Sequence, residues 1–212
     1  MELKLFTVNP FFENTYLAVE SGNAVLFDPG FFDQSEYNQF EEELKSTGAE
    51  LKAIVLTHAH VDHIIGLKKV KESYDVPVYL HEDDLFFWNN FAEQAAMFGL
   101  QAEPFGFIPE NLSEQQNWDA TGISFDIFFT PGHAPGHLSF YRPQEQILIA
   151  GDTLFQGSIG RTDLYKGDMN TLEESIRKKL YTLPDETVIY PGHGPETKIG
   201  VEKKTNAFVR AE

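Results

Sequence analysis

Ala53-Ile54-Val55-Leu56-Thr57-His58-Ala59-His60-Val61-Asp62-His63 is the stretch from which the rest of the chain is read. Its first half is a short apolar run with β-branched residues, the pattern of a buried strand. Four residues of metal-ligand type follow within six positions. Loops at strand ends are where sites are built. Two histidines separated by one residue on an extended segment project to the same side, so His58 and His60 can reach one cation. Asp62 and His63, where the chain turns into a helix, can point to a second.

Working outward, the first 28 residues read as short strands at 3–8, 15–19 and 24–27, broken by Asn9-Pro10 and Ser21-Gly22-Asn23. Asp28-Pro29-Gly30 closes the third. Tyr37, Phe40 and Leu44 predict an amphipathic helix over 34–46 that stops near Gly48. A strand over 51–56 carries the quoted motif, a helix is expected over 62–74 and a strand over 76–80. Residues 81–118 are rich in aromatics, and 83–98 has helical spacing, so a helical insertion is expected there. Strands return at 123–129, 137–141, 146–150 and 187–190. Helices are expected over 171–181, capped by Asn170 or Thr171, and over 196–208. Two strand groups, each followed by helices, predict an α+β fold built as two sheets packed face to face with helices outside. Length favours a single domain over 1–212.

Three further ligand-type residues each follow an expected strand: His133 in Thr130-Pro131-Gly132-His133, Asp152 in Ala150-Gly151-Asp152-Thr153, and His193 in Pro191-Gly192-His193-Gly194. Five His and two Asp would then converge from the loops that follow those strands. That donor set suits a pair of divalent cations such as zinc or iron, and a water held between them ionises near neutral pH. A structural zinc site would close with four protein ligands, usually including thiolates, and would not use seven. A metal-stabilised binding module without turnover is therefore disfavoured.

Composition narrows the function further. The 212 residues carry 33 Asp and Glu against 16 Lys and Arg, a net charge of −17, which repels nucleic acid and anionic membrane surfaces. Apolar content of 42%, with 19 Phe and 8 Tyr, excludes a disordered chain. The apolar runs are too short to span a bilayer, and the start shows no secretory pattern. Zero Cys removes disulfides and cysteine nucleophiles, and a cytoplasmic location is expected.

The order His58-Ala-His60-Val-Asp62-His63, His133, Asp152, His193, with Asp28-Pro29-Gly30 before it, resembles the metallo-β-lactamase-fold hydrolase superfamily over essentially the whole chain. Thr130-Pro-Gly-His-Ala-Pro-Gly-His137, Gly151-Asp-Thr-Leu-Phe155 and Tyr190-Pro-Gly-His-Gly-Pro195 are similar to its glyoxalase II group, and Gly157-Ser-Ile-Gly-Arg-Thr-Asp163 to a compact bacterial branch. The resemblance implies a four-layer αββα sandwich. It also implies two metal ions, most simply Zn2+ with Fe or Mn as alternatives. His58, His60 and His133 would bind one, Asp62, His63 and His193 the other, and Asp152 would bridge them. Asp28 would orient the ligand loop by hydrogen bonds. The implied reaction is hydrolysis of a small-molecule acyl thioester by metal-bound hydroxide, with Asp62 and Asp152 as the catalytic residues that position it. Full glyoxalase II enzymes add a C-terminal helical domain that contacts glutathione. This chain runs only 19 residues past His193, so glutathione specificity is not expected. The alternative within the superfamily is an iron persulfide dioxygenase using His58, His133 and Asp152 alone.

Other candidates are set aside on local grounds. His137 is expected to pack or to support, with His133 as the ligand. His81 reads as a helix-start residue, and Arg161 as the partner of Asp163 before it is a grip for a substrate carboxylate. The aromatics of 85–107 read as core packing before they read as a wall of the cleft.

Overall fold

The computed structural model describes residues 1–119 and 122–211, which divide into two compact units. The first comprises Met1–Leu112 with Asp119–Ile123, the second Ser113–Trp118 with Ser124–Glu212. Each holds one six-stranded sheet and its helices, in agreement with the α+β expectation.

In the first unit, β1 (Glu2–Val8), β2 (Glu13–Glu20) and β3 (Asn23–Phe27) form an antiparallel meander. Helix α1 (Gln34–Thr47) then leads to β4 (Glu50–Val55), which lies parallel to β3. Asp33 caps α1 by accepting the Glu36 N–H, and Tyr37, Phe40 and Leu44 are its buried face, as their spacing predicts. Phe27 stands opposite Val55. The two parallel strands therefore end side by side, and Asp28 emerges next to the start of the ligand loop.

The helix expected over 62–74 is two helices, α2 (Val61–Ile64) and α3 (Leu67–Ser73). Gly66 interrupts it by donating its N–H to Pro29 O at 2.9 Å. The chain there presses so closely on Phe31 that a Cβ on Gly66 would lie 2.7 Å from the Phe31 nitrogen. Strand β5 (Val78–Leu80), a 3₁₀ turn over Glu82–Asp84, helices α4 (Leu85–Asn89) and α5 (Phe91–Met97), and β6 (Glu110–Asn111) complete this unit. The expected helical pair is present, and its aromatics stack on one another, with Trp88 4.2 Å and Phe91 4.5 Å from the Phe105 ring. The Trp88 indole N–H is satisfied by Phe107 O at 3.2 Å.

The second unit orders its sheet β14-β13-β10-β9-β8-β7, from β7 (Gln115–Trp118), β8 (Phe125–Phe129), β9 (Leu138–Arg142), β10 (Ile147–Gly151), β13 (Val188–Pro191) and β14 (Thr197–Lys198). A small hairpin of β11 (Leu154–Phe155) and β12 (Ser158–Ile159) follows β10, and α6 (Met169–Lys178) and α7 (Ile199–Thr205) complete the unit. Leu148, Ala150, Leu172, Ile176, Leu180, Ile189 and Ile199 form its buried core. Full burial of each large aliphatic side chain contributes about 1.5–3 kcal/mol. The pair β10–β13 is parallel, with Gly151 opposite Pro191, so the loops bearing Asp152 and His193 leave the sheet together.

Helix α6 starts earlier than its sequence suggests. Asp168, not Asn170 or Thr171, is the cap, and its Oδ1 accepts both the N–H and the hydroxyl of Thr171 at 2.7 and 2.8 Å. A carboxylate three residues ahead satisfies a first-turn N–H better than Asn170 or Thr171 could. The strands of two to four residues at β6, β7, β11, β12 and β14 gave no readable period, and tertiary pairing alone creates them.

Gly132 has φ +129°, and a Cβ there would collide with the backbone of Leu172 at the start of α6. Gly132→Ala is expected to cost at least about 3 kcal/mol, lowering the Tm by on the order of 6–12 °C in a calorimetric scan.

Candidate metal centre

In the first unit the ligand loop is organised by one carboxylate. Asp28 accepts the Thr57 N–H at Oδ1 (2.7 Å) and the Thr57 hydroxyl at Oδ2 (2.6 Å), and His63 Nδ1 lies 3.1 Å from Oδ2. Because the Thr57 hydrogen goes to Asp28, Thr57 Oγ1 can only accept from His58 Nδ1, 2.9 Å away. His58 and His63 are thus both protonated at Nδ1, and each Nε2 keeps its lone pair for a cation. Asp28 does this from φ 48°, a left-handed conformation that Asp tolerates at a cost of about 1 kcal/mol. Asp62 Oδ2 stands 3.8 Å from His63 Nε2. The His60 ring lies 4.7 Å from that of His58, edge-on. His58, His60 and His63 are all buried, and Asp62 is half-buried.

Two residues of this unit carry more than their sequence context showed. Asn9, read as a strand breaker, donates from Nδ2 to Gly30 O at 3.0 Å and to Asp62 O at 2.9 Å, holding the start of α2. Glu13 is fully buried beside the ligand loop, with Oε1 3.7 Å from His63 Nδ1. Thr15 Oγ1, which can donate to either, lies 2.8 Å from Glu13 Oε2 and 2.7 Å from the Asp28 carbonyl oxygen. Burial pushes the Glu13 carboxyl well above the usual carboxylate range. Nothing in the local sequence signals this, because Glu13 opens a strand among polar residues.

In the second unit His133, Asp152 and His193 come together. His133 Nε2 and His193 Nε2 each lie 3.5 Å from the same atom, Asp152 Oδ2. His133 Nδ1 donates to the Arg161 carbonyl at 2.8 Å, which presents Nε2. No local pattern in the chain signals that carbonyl. The Arg161 guanidinium is committed to Asp163 by paired bonds of 2.7 and 2.8 Å and holds that carboxyl down at about 2, the ion-pair reading of the sequence. His137 has the same tautomer as His133, but its Nε2 is already occupied. Its Nε2 accepts the Asp152 N–H at 2.9 Å, so its Nδ1 donates to Thr130 Oγ1 at 3.0 Å. Both nitrogens are used, and His137 supports Asp152 where the sequence expected a supporting residue. His81 accepts the Asp83 N–H at 3.2 Å as a helix-start residue, and burial lowers its pKa.

The donor set fits divalent cations. Bonds of 2.0–2.1 Å to a tetrahedral ion place ligand atoms about 3.4 Å apart along each edge. The separations of 3.5, 3.5 and 3.8 Å within the two units match that edge and are too long for strong hydrogen bonds. Among the described residues no helix is long and apolar enough to cross a membrane.

Comparison with known proteins agrees with this chemistry. The family model of the metallo-β-lactamase superfamily matches residues 8–193. The hydroxyacylglutathione hydrolase GloC of Haemophilus influenzae is 35% identical, with 100% of both chains covered. Among solved structures, TTHA1623 in a di-iron-bound form is 38% identical at a TM-score of 0.86, covering 97% of this chain and 100% of its own. The B3 metallo-β-lactamase BLEG-1 is 36% identical, also at a TM-score of 0.86, covering 98% and 99%. A His-rich motif set in this order, donor separations of metal-ligand type and a family match over most of the chain lead to one conclusion: this protein belongs to the metallo-β-lactamase superfamily.

Proposed function

We propose that the chain is a binuclear metallohydrolase of the cytoplasm that cleaves small acyl thioesters. His58, His60 and His133 would hold one divalent cation and Asp62, His63 and His193 the other, with Asp152 as the ligand they would share. Zinc is the cation best matched by imidazole and carboxylate ligands, with iron or manganese as alternatives. The observation that carries the reading is the single oxygen of Asp152 standing equidistant from His133 and His193, as a shared ligand must. Divalent cations at such a site lower the pKa of a bound water toward neutrality and polarise the acyl carbonyl.

The chain's own residues supply the rest. Asp28 and the Arg161 carbonyl hold the imidazole rings in one tautomer, so no reorganisation is needed when substrate arrives. The Asp62 and Asp152 carboxylates orient the attacking water by accepting its hydrogens. Water is the nucleophile in this reading, so attack needs no Ser or Cys side chain. The products are a carboxylate, a thiol and one proton. The relative named as a hydroxyacylglutathione hydrolase makes glutathione thioesters the first substrates to try.

The test uses metal-loaded protein with S-lactoylglutathione and with a lactoyl thioester of a small neutral thiol. Both are expected to be cleaved, and chelation is expected to abolish cleavage. A net charge of −17 opposes the anionic glutathione part, so its preference over the neutral thiol is expected to stay below about a hundredfold in kcat/KM, or about 2.7 kcal/mol. Oxygen uptake on a persulfide without thioester cleavage, or turnover of β-lactams alone, would overturn the proposal.

A further inference from the structure

The segment of α4 and α5, read from sequence as aromatic packing, also holds the backbone between two of the proposed ligands. Ala59 separates His58 from His60, and its methyl group is fully buried. Both of its peptide groups are taken by side chains from that segment. The Ala59 N–H donates to Asp84 Oδ2 at 2.7 Å, and the Ala59 carbonyl accepts from Gln94 Nε2 at 3.1 Å. Gln94 uses its second hydrogen on the Phe87 carbonyl at 2.8 Å, which ties α5 to α4. The Phe87 ring meets the His60 imidazole edge-on, at 4.5 Å and 77°.

The Ala59 N–H belongs to the peptide plane shared with His58, and its carbonyl to the plane shared with His60. Fixing both planes holds φ and ψ of Ala59, and with them the relative placement of the two Cα atoms that carry the imidazoles. Asp84 is completely buried, so its hydrogen bond is screened little by water, and a carboxylate acceptor makes it about twice as strong as a neutral one. Asp62 and His63 lie beyond this grip, on α2, where Asn9 holds the Asp62 carbonyl instead.

We infer that Asp84 and Gln94 are positioning residues for the His58–His60 pair, and that the α4–α5 segment thereby controls the affinity and coordination geometry of the one cation those histidines hold. The inference rests on the ligand assignment proposed above. Displacing either grip lets the two imidazoles diverge, and loss of such supporting bonds typically weakens metal affinity 10–100-fold.

The experiment titrates apo wild-type protein, Asp84→Ala, Asp84→Asn and Gln94→Ala with Zn2+ and with Co2+, reading binding constants, the visible Co2+ absorption and the Tm of each apo form. In Asp84→Ala one class of cation is expected to weaken by about 10–100-fold with an altered Co2+ spectrum, while the second class is unchanged. Asp84→Asn can still accept the Ala59 N–H through its amide oxygen and is expected to restore the wild-type spectrum. Gln94→Ala, at a half-buried helix position where Ala is well tolerated, is expected to shift the same class in the same direction and keeps the test decisive if Asp84→Ala does not fold. Unchanged affinities and spectrum in the folded variants, or equal weakening of both classes, would overturn the inference. A wild-type stoichiometry below two cations, or full cation content in His58→Ala, would instead overturn the ligand assignment.

Discussion

Asp152→Ala is expected to lower kcat/KM for thioester hydrolysis by on the order of 10⁴-fold, about 5.5 kcal/mol of transition-state stabilisation, and to leave less than one tightly held cation per chain. The size follows from what the carboxylate faces. His133 Nε2 and His193 Nε2 both stand 3.5 Å from its Oδ2, so deleting it removes a shared donor and leaves two imidazoles without the negative charge that draws cations to them. The backbone cost is small, because the Asp152 N–H still reaches His137 Nε2. Cation content by elemental analysis, measured beside activity and the apo Tm, separates loss of the site from loss of the fold. A variant that keeps two cations and activity within tenfold of wild type would remove Asp152 from the centre.

The second large effect is a contrast between two histidines four residues apart. His133→Ala is expected to lower both cation content and kcat/KM, the latter by about 10³-fold or more, through loss of a direct ligand. His137→Ala is expected to keep the cations and lose only about 10–100-fold, because it supports Asp152 from outside the coordination sphere. It should also be the less stable of the two as apo protein. Removing His137 strands the buried Asp152 N–H, while Thr130 Oγ1 keeps Ser139 Oγ at 2.9 Å, a cost of about 1–3 kcal/mol, or about 2–12 °C in Tm. Loss of cations from both variants to the same degree would mean that the two roles are wrongly divided.

Both predictions draw on features of unequal visibility in the sequence. The ligand types and their order are local facts. A short apolar run followed within a few residues by a His or Asp recurs at His58, His133, Asp152 and His193, the last three next to Gly, and the parallel strand ends before His58, Asp152 and His193 place those residues at an edge of their sheets. Helix α1 was equally plain, because three apolar residues at helical spacing and a terminal Gly suffice to specify it. The break between α2 and α3 was not, since it arises from the approach of Phe31 to Gly66 and from the Pro29 carbonyl, neither of which the residues of 62–74 contain.

The sequence by itself determined the α+β class, the chemistry of the donor set and the superfamily, because strand periodicity and ligand spacing are short-range properties of the chain. Only the tertiary structure decided which nitrogen of His58, His63 and His133 is presented. That choice rests on partners distant in sequence, such as Arg161 for His133 across 28 residues and Asp28 for His63 across 35. The burial that raises the Glu13 carboxyl, the commitment of His137 to a backbone N–H, and the grip of Asp84 and Gln94 on Ala59 have the same origin. Each depends on burial and on which group stands within 3 Å or so of another, and folding sets both by bringing remote segments together.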